Sequence, residues 1–192
     1  MTDQYTASRV HEILCQADGL ETAEQPALLN RIRYLAKREL LQNGSRIDER
    51  GTLAFPKPEI FRAAIFCDLA GLTMDVRALE PITDAAARRH SLDLVKPPSL
   101  KINGGWKSAG GLIDSIRGVD AGEQWWLTMQ YYFAGHSSGG GLAAEFLWDG
   151  AKNPDVEETV HQIFGRKPTR TSARIDLRAL FGGIIPIVGV PS

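Results

Sequence analysis

The sequence predicts an α+β protein in which a helical amino-terminal half is joined to a smaller, β-rich carboxy-terminal half. Apolar residues recur at helical spacing through the first ninety residues. Later segments are bounded by glycines, and they are either rich in aromatic residues or alternate between apolar and polar residues, as strands do. The stiff segment Val-Lys-Pro-Pro-Ser at 95–99 marks the change in composition. We therefore predict a first domain over residues 1–92, a linker over 93–100 and a second domain over 101–192.

The distribution of charge is more informative than its total. The 192 residues, 43% of them apolar, suffice for an ordered core, and the net charge is only −1. Between Pro26 and Arg62, however, eight Lys and Arg residues stand against four acidic ones, a local balance of +4. This local excess indicates a polyanionic partner. The chain shows neither a signal-peptide pattern nor an apolar run long enough for a membrane span, so we expect a cytoplasmic protein with no membrane partner.

Three helices are predicted in the amino-terminal half, over 7–17, from Pro26 to about Glu39, and over 59–70. In the second helix the inward stripe is Leu28, Leu29, Ile32, Leu35 and Ala36. This register predicts two outward ridges, one with Arg31, Tyr34 and Arg38 and an adjacent one with Arg33 and Lys37. A further short helix is expected from Asp75 to Leu79, resuming at 83–90 after Pro81.

A hairpin is predicted between the second and third helices. Asn43-Gly44 is a strong turn signal, and residues 46–55 read as two short strands around a polar tip. A basic helix, a polar hairpin and a further helix in this order predict a winged helix-turn-helix domain that binds double-stranded DNA. The helix would read bases in the major groove, and the hairpin, or wing, would contact the phosphate backbone. The candidate DNA-binding residues are Asn30, Arg31, Arg33, Tyr34, Lys37, Arg38, Arg46, Arg50 and Lys57.

One further pattern consists of Ile32-Arg33-Tyr34, Leu40-Leu41, a basic wing with Gly51, an aromatic residue at Phe55, a helix from about Glu59, and the turn Gly71-Leu72-Thr73-Met74-Asp75-Val76-Arg77. Over about residues 9–80 this pattern resembles the amino-terminal domain of the MerR-type regulators. The resemblance implies that Arg33 and Tyr34 on the recognition helix and Arg50 in the wing face DNA. The chain departs from the family in having extra residues between Gly19 and Ile32, and a Pro-interrupted stretch where the long dimerisation helix would stand.

The carboxy-terminal half is predicted to be mainly strands, over 114–118, 124–134, 142–148 and 172–180, with a helix over 155–164. Trp125 and Trp126 are adjacent in one strand and should point to opposite faces, so this aromatic block is a candidate for self-association. The apolar tail over 180–190 is expected to be a docking arm or a terminal strand.

No catalytic, cofactor-binding or metal-binding residue is predicted. Gly135-His136-Ser137-Ser138-Gly139 matches the letters Gly-x-Ser-x-Gly, with His161 downstream, but the strand-to-helix elbow which that motif requires is not expected here. We interpret the segment as a hairpin tip. The four histidines are far apart in sequence, and Cys15 and Cys67 are expected to be buried free thiols.

The predicted function is a sequence-specific transcriptional regulator that acts as a homodimer. Its carboxy-terminal domain would oligomerise or contact RNA polymerase or another regulator. The alternative is a phage-type DNA-recognition or packaging subunit, whose carboxy-terminal domain would build a ring. An enzyme in the carboxy-terminal domain is a third, less favoured hypothesis.

Overall fold

The protein has a mixed α+β fold, described here from a computed structural model that covers residues 3–21, 25–71, 79–89, 96–133, 140–149 and 169–191. The chain forms two compact units, one of Met1–Glu80 together with Ala179–Ser192, and one of Pro81–Arg178. This grouping differs from the predicted domains, because the end of the chain belongs with the amino-terminal unit.

The first unit opens with a short strand, β1 (Gln4–Thr6), and the predicted first helix, α1 (Ala7–Ala17). The Thr6 hydroxyl accepts a hydrogen bond from the Arg9 backbone N–H at 3.3 Å and so caps the start of α1. At the other end Gly19 has a φ of +68°, and Leu20 N donates to the Cys15 carbonyl at 2.8 Å. This hydrogen bond is the Schellman arrangement that glycine favours, which explains why the sequence located the end of the helix correctly.

The second helix, α2 (Pro26–Lys37), starts at the predicted proline and ends with the same type of cap. Leu40 N donates to the Leu35 carbonyl at 3.1 Å, and Glu39 adopts a φ of 58°. A residue with a Cβ atom is strained in this left-handed conformation. The backbone reversal sends Leu40 and Leu41 into the core, where both are buried.

The predicted hairpin is present as β2 (Ser45–Arg46) and β3 (Leu53–Pro56), which pair antiparallel. β1 pairs with the other edge of β3, so the sheet order is β1-β3-β2. Phe55 points into the core and lies against Gly44, where a Cβ atom would come within 2.6 Å of the ring. Glycine at position 44 therefore allows the turn before β2 to pass over the aromatic ring.

The third helix, α3 (Pro58–Gly71), runs through the core of the first unit and agrees with the predicted helix over 59–70. Phe61 lies edge-to-face with Phe181, with ring centroids 5.0 Å apart and an interplanar angle of 82°. Phe181 belongs to α6 (Leu177–Gly182), which is followed by α7 (Ile185–Val188). The tail is thus helical, which makes the predicted terminal strand wrong, and it packs on α3.

The second unit begins near the start of α4 (Glu80–Ala87). Pro81 lies within the first turn of this helix, where its missing N–H would have had no partner, so the predicted break at Pro81 is wrong. The predicted helix start at Asp75 lies outside the described residues. The tight pair β4 (Lys101–Ile102) and β5 (Gly105–Trp106) turns at Asn103-Gly104, both of which have positive φ.

The predicted strand over 114–118 is wrong, because this segment lies within helix α5 (Gly111–Asp120). Leu112, Ile116 and Val119 are buried at helical spacing. The buried Asp114 carboxylate accepts hydrogen bonds from the Ser108 hydroxyl and from Ala109 N, which fixes the chain at the start of the helix. The β-branched content of the segment concealed this helical spacing.

The main sheet of the second unit has the order β7-β6-β8 and is antiparallel throughout. Its strands are β6 (Trp125–Phe133), β7 (Gly140–Trp148) and β8 (Thr169–Asp176), and α5 packs on β6 and β7. β8 ends at Asp176, whereas the predicted strand extends to residue 180. The last four residues of the predicted strand belong to helix α6 instead. The two adjacent tryptophans differ in burial, as expected for side chains on opposite faces of a strand: Trp125 is fully buried and Trp126 is half-buried.

No helix of the described residues is long and apolar enough to cross a membrane. The predicted helix over 155–164 lies outside the residues that the structure describes.

Candidate nucleic-acid interface

The exposed side of α2 carries a continuous polar and basic row. Asn30, Arg33, Tyr34 and Lys37 are all exposed, and they follow the i, i+3, i+4, i+7 spacing that places side chains on one helix face. The opposite side of the helix buries Ile32 and Leu35 in the core. Core packing therefore fixes the direction in which these four residues, termed here the α2 row, face solvent.

Arg38 extends the α2 row at the C-cap of the helix. Its guanidinium carbon lies 5.3 Å from the centroid of the Tyr34 ring, within the range of a cation–π contact. Tyr34 is 41% exposed and is one of the few large apolar side chains that lie exposed in the described part of the chain. The pair thus presents a stacked aromatic and cationic surface beside Lys37.

Arg31 does not belong to this surface. It is half-buried, and its Nη1 atom donates a hydrogen bond of 2.9 Å to the backbone carbonyl of Cys67 on α3. The predicted outward ridge of Arg31, Tyr34 and Arg38 is therefore wrong in its first member. Its side chain connects α2 to α3 instead.

Two further hydrogen bonds hold the ends of α2. Buried His11 on α1 bonds through Nε2 to the carbonyl of Gln25, the N-cap residue of α2, at 3.0 Å. Beyond the other end, Gln42 N donates to the Glu59 carboxylate on α3 at 2.8 Å. Together with Arg31, these contacts fix α2 between α1 and α3, so the α2 row is presented on a preorganised helix.

The tip between β2 and β3 is organised around Asp48. Its carboxylate accepts hydrogen bonds from Thr52 N at 2.7 Å and from the Thr52 hydroxyl at 2.6 Å. These bonds hold the pKa of the Asp48 carboxyl below its usual range. Gly51 completes the turn with a φ of +77°, and Arg46 and Arg50 are exposed on this hairpin.

Lys57 lies in the turn between β3 and α3 and is half-buried. A Cβ atom built on Gly189 of the tail would lie 3.8 Å from its Nζ atom. Lys57 is therefore close to the tail of the chain, and it is less accessible than the hairpin cations.

The charges between Pro26 and Arg62 do not all contribute to the surface. Glu59 and Arg62 form a buried ion pair, with Arg62 Nε 3.0 Å from Glu59 Oε2. Burial raises the pKa of the Glu59 carboxyl, and the neighbouring guanidinium opposes that rise. The exposed cations are Arg33, Lys37, Arg38, Arg46 and Arg50, and none of these forms an ion pair with a carboxylate of the described residues. Three acidic residues of the segment, Glu39, Asp48 and Glu49, are exposed as well. The exposed surface of this segment is therefore positive by two charges, half of the excess of four that the sequence shows.

The remaining candidates are the Gly-x-Ser-x-Gly segment, the two cysteines and a metal-binding cluster. The Gly-x-Ser-x-Gly segment and His161 lie outside the described residues. Both cysteines are buried and free, as expected from their positions in the sequence. In the described part of the chain, no three His, Cys, Asp or Glu side chains are grouped so as to hold a metal ion.

Comparisons with known proteins found no match: no family model, no curated protein and no solved structure is significantly similar to this chain. Functional interpretation therefore depends on the geometry of the residues themselves.

Proposed function

We propose that the protein is a sequence-specific double-stranded DNA-binding transcriptional regulator whose first unit is a MerR-like winged helix-turn-helix domain. The observation that carries this proposal is the α2 row. Asn30, Arg33, Tyr34 and Lys37 form one exposed helix face, which Arg38 extends, and the hairpin that follows in the sequence carries two more exposed cations.

The order of elements supports the proposal. The first unit runs β1-α1-α2-β2-β3-α3, so a compact helix pair precedes a short antiparallel hairpin. In a winged helix-turn-helix, the second helix of such a pair enters the major groove and the hairpin approaches the backbone. An α-helix fits the major groove of B-DNA, which is about 12 Å wide.

The side chains divide into two roles under this proposal. Asn30 and Arg33 read base edges, since an amide suits adenine and a guanidinium suits guanine. Lys37, Arg38, Arg46 and Arg50 contact phosphates, which sets the register and makes the affinity dependent on salt. Tyr34 holds Arg38 by the cation–π contact and offers its hydroxyl to the backbone. Arg31 has no DNA contact in this scheme, because its guanidinium is engaged with α3.

The protein acts as a homodimer on a two-fold symmetric site, and the second unit supplies dimer contacts or binds RNA polymerase or another regulator. A two-fold dimer would place two α2 rows on half-sites about one helical turn apart.

The test is selection of bound fragments from random duplex DNA, followed by sequencing. A regulator enriches one discrete motif whose symmetry reports the oligomer. Absence of enrichment, together with absence of binding at low salt, would contradict the proposal. Mass measurement in solution separates a dimer from the ring of a packaging subunit.

A further inference from the structure

A half-open cavity of about 220 Å³ lies between α1, α2, α3 and the tail, all within the first unit. Its apolar wall is formed by Leu14 of α1, Leu28 of α2, and Leu180 and Ile184 of the tail. At about 30 Å³ per water molecule, this volume corresponds to about seven waters. The cavity thus has room for a small organic molecule, but for little more.

Two carboxylates, Asp18 at the C-cap of α1 and Asp68 on α3, line the cavity. Neither forms a hydrogen bond or ion pair through its side chain with the described residues. Both residues are exposed on one side. The partial burial of their other side raises the pKa of both carboxyl groups, and the charge of Asp18 raises that of Asp68 further. The carboxyl end of α1 adds the negative end of a helix dipole at the same place. The electrostatic environment of the cavity thus favours a cation.

Among the described residues, Arg31 is the cationic side chain that lines the cavity, and it does not occupy the position between the two carboxylates. Arg31 donates its Nη1 hydrogen to the Cys67 carbonyl, and it forms no ion pair with either carboxylate. Cys67 is also one of the residues that line the cavity. It is only 8% exposed, and its thiol hydrogen-bonds to none of the described residues. A buried residue with an unpartnered thiol, a weak donor, is therefore part of the same lining as the two carboxylates.

We propose that this cavity binds a small organic cation, an alkylammonium or arylalkylammonium whose apolar part lies against the leucines and whose ammonium group lies between Asp18 and Asp68. The apolar wall excludes a hydrated divalent cation, which requires an oxygen-rich shell. A thiolate-bound metal is also disfavoured, since burial raises the pKa of Cys67 to about 12. An ammonium group with an apolar body satisfies both surfaces.

The ligand touches α1, α2, α3 and the tail at once, so its binding stabilises their packing. The site does not depend on the α2 row facing DNA, because none of the row residues lines the cavity. Failure of ligand binding would therefore not contradict DNA binding, and failure of DNA binding would not contradict ligand binding.

The experiment is titration of the full chain with n-hexylammonium chloride, followed by calorimetry and by ligand-observed NMR. The neutral analogue hexan-1-ol and the double variant Asp18→Asn/Asp68→Asn provide the comparison. Asp84→Asn, at an exposed carboxylate on α4, is the matched control. Circular dichroism verifies that each variant is folded.

We expect saturable one-to-one binding of hexylammonium, weaker binding of hexanol, and about a tenfold loss of affinity in the double variant but not in the control. Absence of saturable binding to the wild-type chain would overturn the proposal. Equal affinity in a folded double variant, or equal binding of hexanol, would overturn it as well, because the carboxylates would then not select the ligand.

Discussion

The Arg31 guanidinium donates a hydrogen bond of 2.9 Å to the Cys67 carbonyl and thereby joins α2 to α3. Its neighbour Arg33, two residues along the same helix, is exposed and forms no ion pair with the described residues. Two arginines that look equivalent in the sequence thus have different tasks, one in packing and one at the surface. The same substitution to alanine should therefore affect stability at Arg31 and DNA binding at Arg33.

Arg31→Ala is expected to lower the free energy of unfolding by about 1 kcal/mol, since it removes a charged donor from a partly buried carbonyl. Arg33→Ala is expected to leave stability within about 0.5 kcal/mol of wild type and to weaken DNA binding. Urea unfolding and binding isotherms on the selected duplex measure the two effects. An Arg31→Ala protein of unchanged stability would show that the hydrogen bond from Arg31 to the Cys67 carbonyl does not stabilise the fold.

Glu39→Gly should stabilise the protein by about 0.5–1 kcal/mol, because Glu39 has a φ of 58°, which glycine adopts without a Cβ clash. Glu39→Ala is the control, since it removes the same charge and keeps the strained backbone. The gain should appear in thermal unfolding of the Gly variant only. Equal stabilisation by both substitutions would assign the effect to charge rather than to the backbone.

Gly118→Ala should destabilise the protein by about 2–3 kcal/mol. A Cβ atom at this position would lie 1.9 Å from the Nε1 atom of Trp125, which itself donates a hydrogen bond of 2.9 Å to Glu123. Gly182→Ala, where nothing lies within 4 Å of the added atom, is the matched control and should be close to neutral. Denaturant unfolding compares them, and a neutral Gly118→Ala would mean that this packing is looser than described.

The Cys67 thiol should react slowly with thiol reagents at pH 8. Burial raises its pKa to about 12, so its thiolate is a very small fraction of the total at that pH. Labelling with a chromogenic disulfide should begin only in denaturant. Labelling of native Cys67 at the rate of a free thiol would contradict its buried environment.

The same shift predicts a loss of stability in alkali. The folded thiol keeps its proton to about pH 12, whereas the unfolded thiol ionises near 9.0, so the folded state binds more protons between these values. The free energy of unfolding should therefore fall as pH rises through this window. Cys67→Ala should show a shallower decline, and identical slopes would contradict the assignment.

The predictable parts of the fold were those with strong local signals. Gly19 marks the end of α1 and Pro26 the start of α2, because their backbone preferences act within a few residues. The hairpin of β2 and β3 was indicated by Asn43-Gly44 and by the polar tip over 47–52. The turn at Asn103-Gly104 carried an equally strong signal, which the sequence interpretation overlooked.

The remaining parts depended on tertiary contacts. Helix α5 was interpreted as a strand because β-branched residues obscured its helical spacing, and Asp114 fixes its start through partners that precede it. Arg31 was assigned to the surface because the helical period alone does not say where a long side chain finds its partner. Its acceptor is 36 residues away, a distance that no local pattern encodes.

The most direct test of the central claim is the affinity of the selected duplex for Arg33→Ala/Lys37→Ala, measured against Lys101→Ala at two salt concentrations. Lys101 is an exposed cation of the second unit, so its loss makes the same kind of change away from the α2 row. The account predicts at least about a tenfold loss of affinity and a smaller salt slope in the double variant only. Equal affinity and slope in both folded variants would show that the α2 row does not bind DNA.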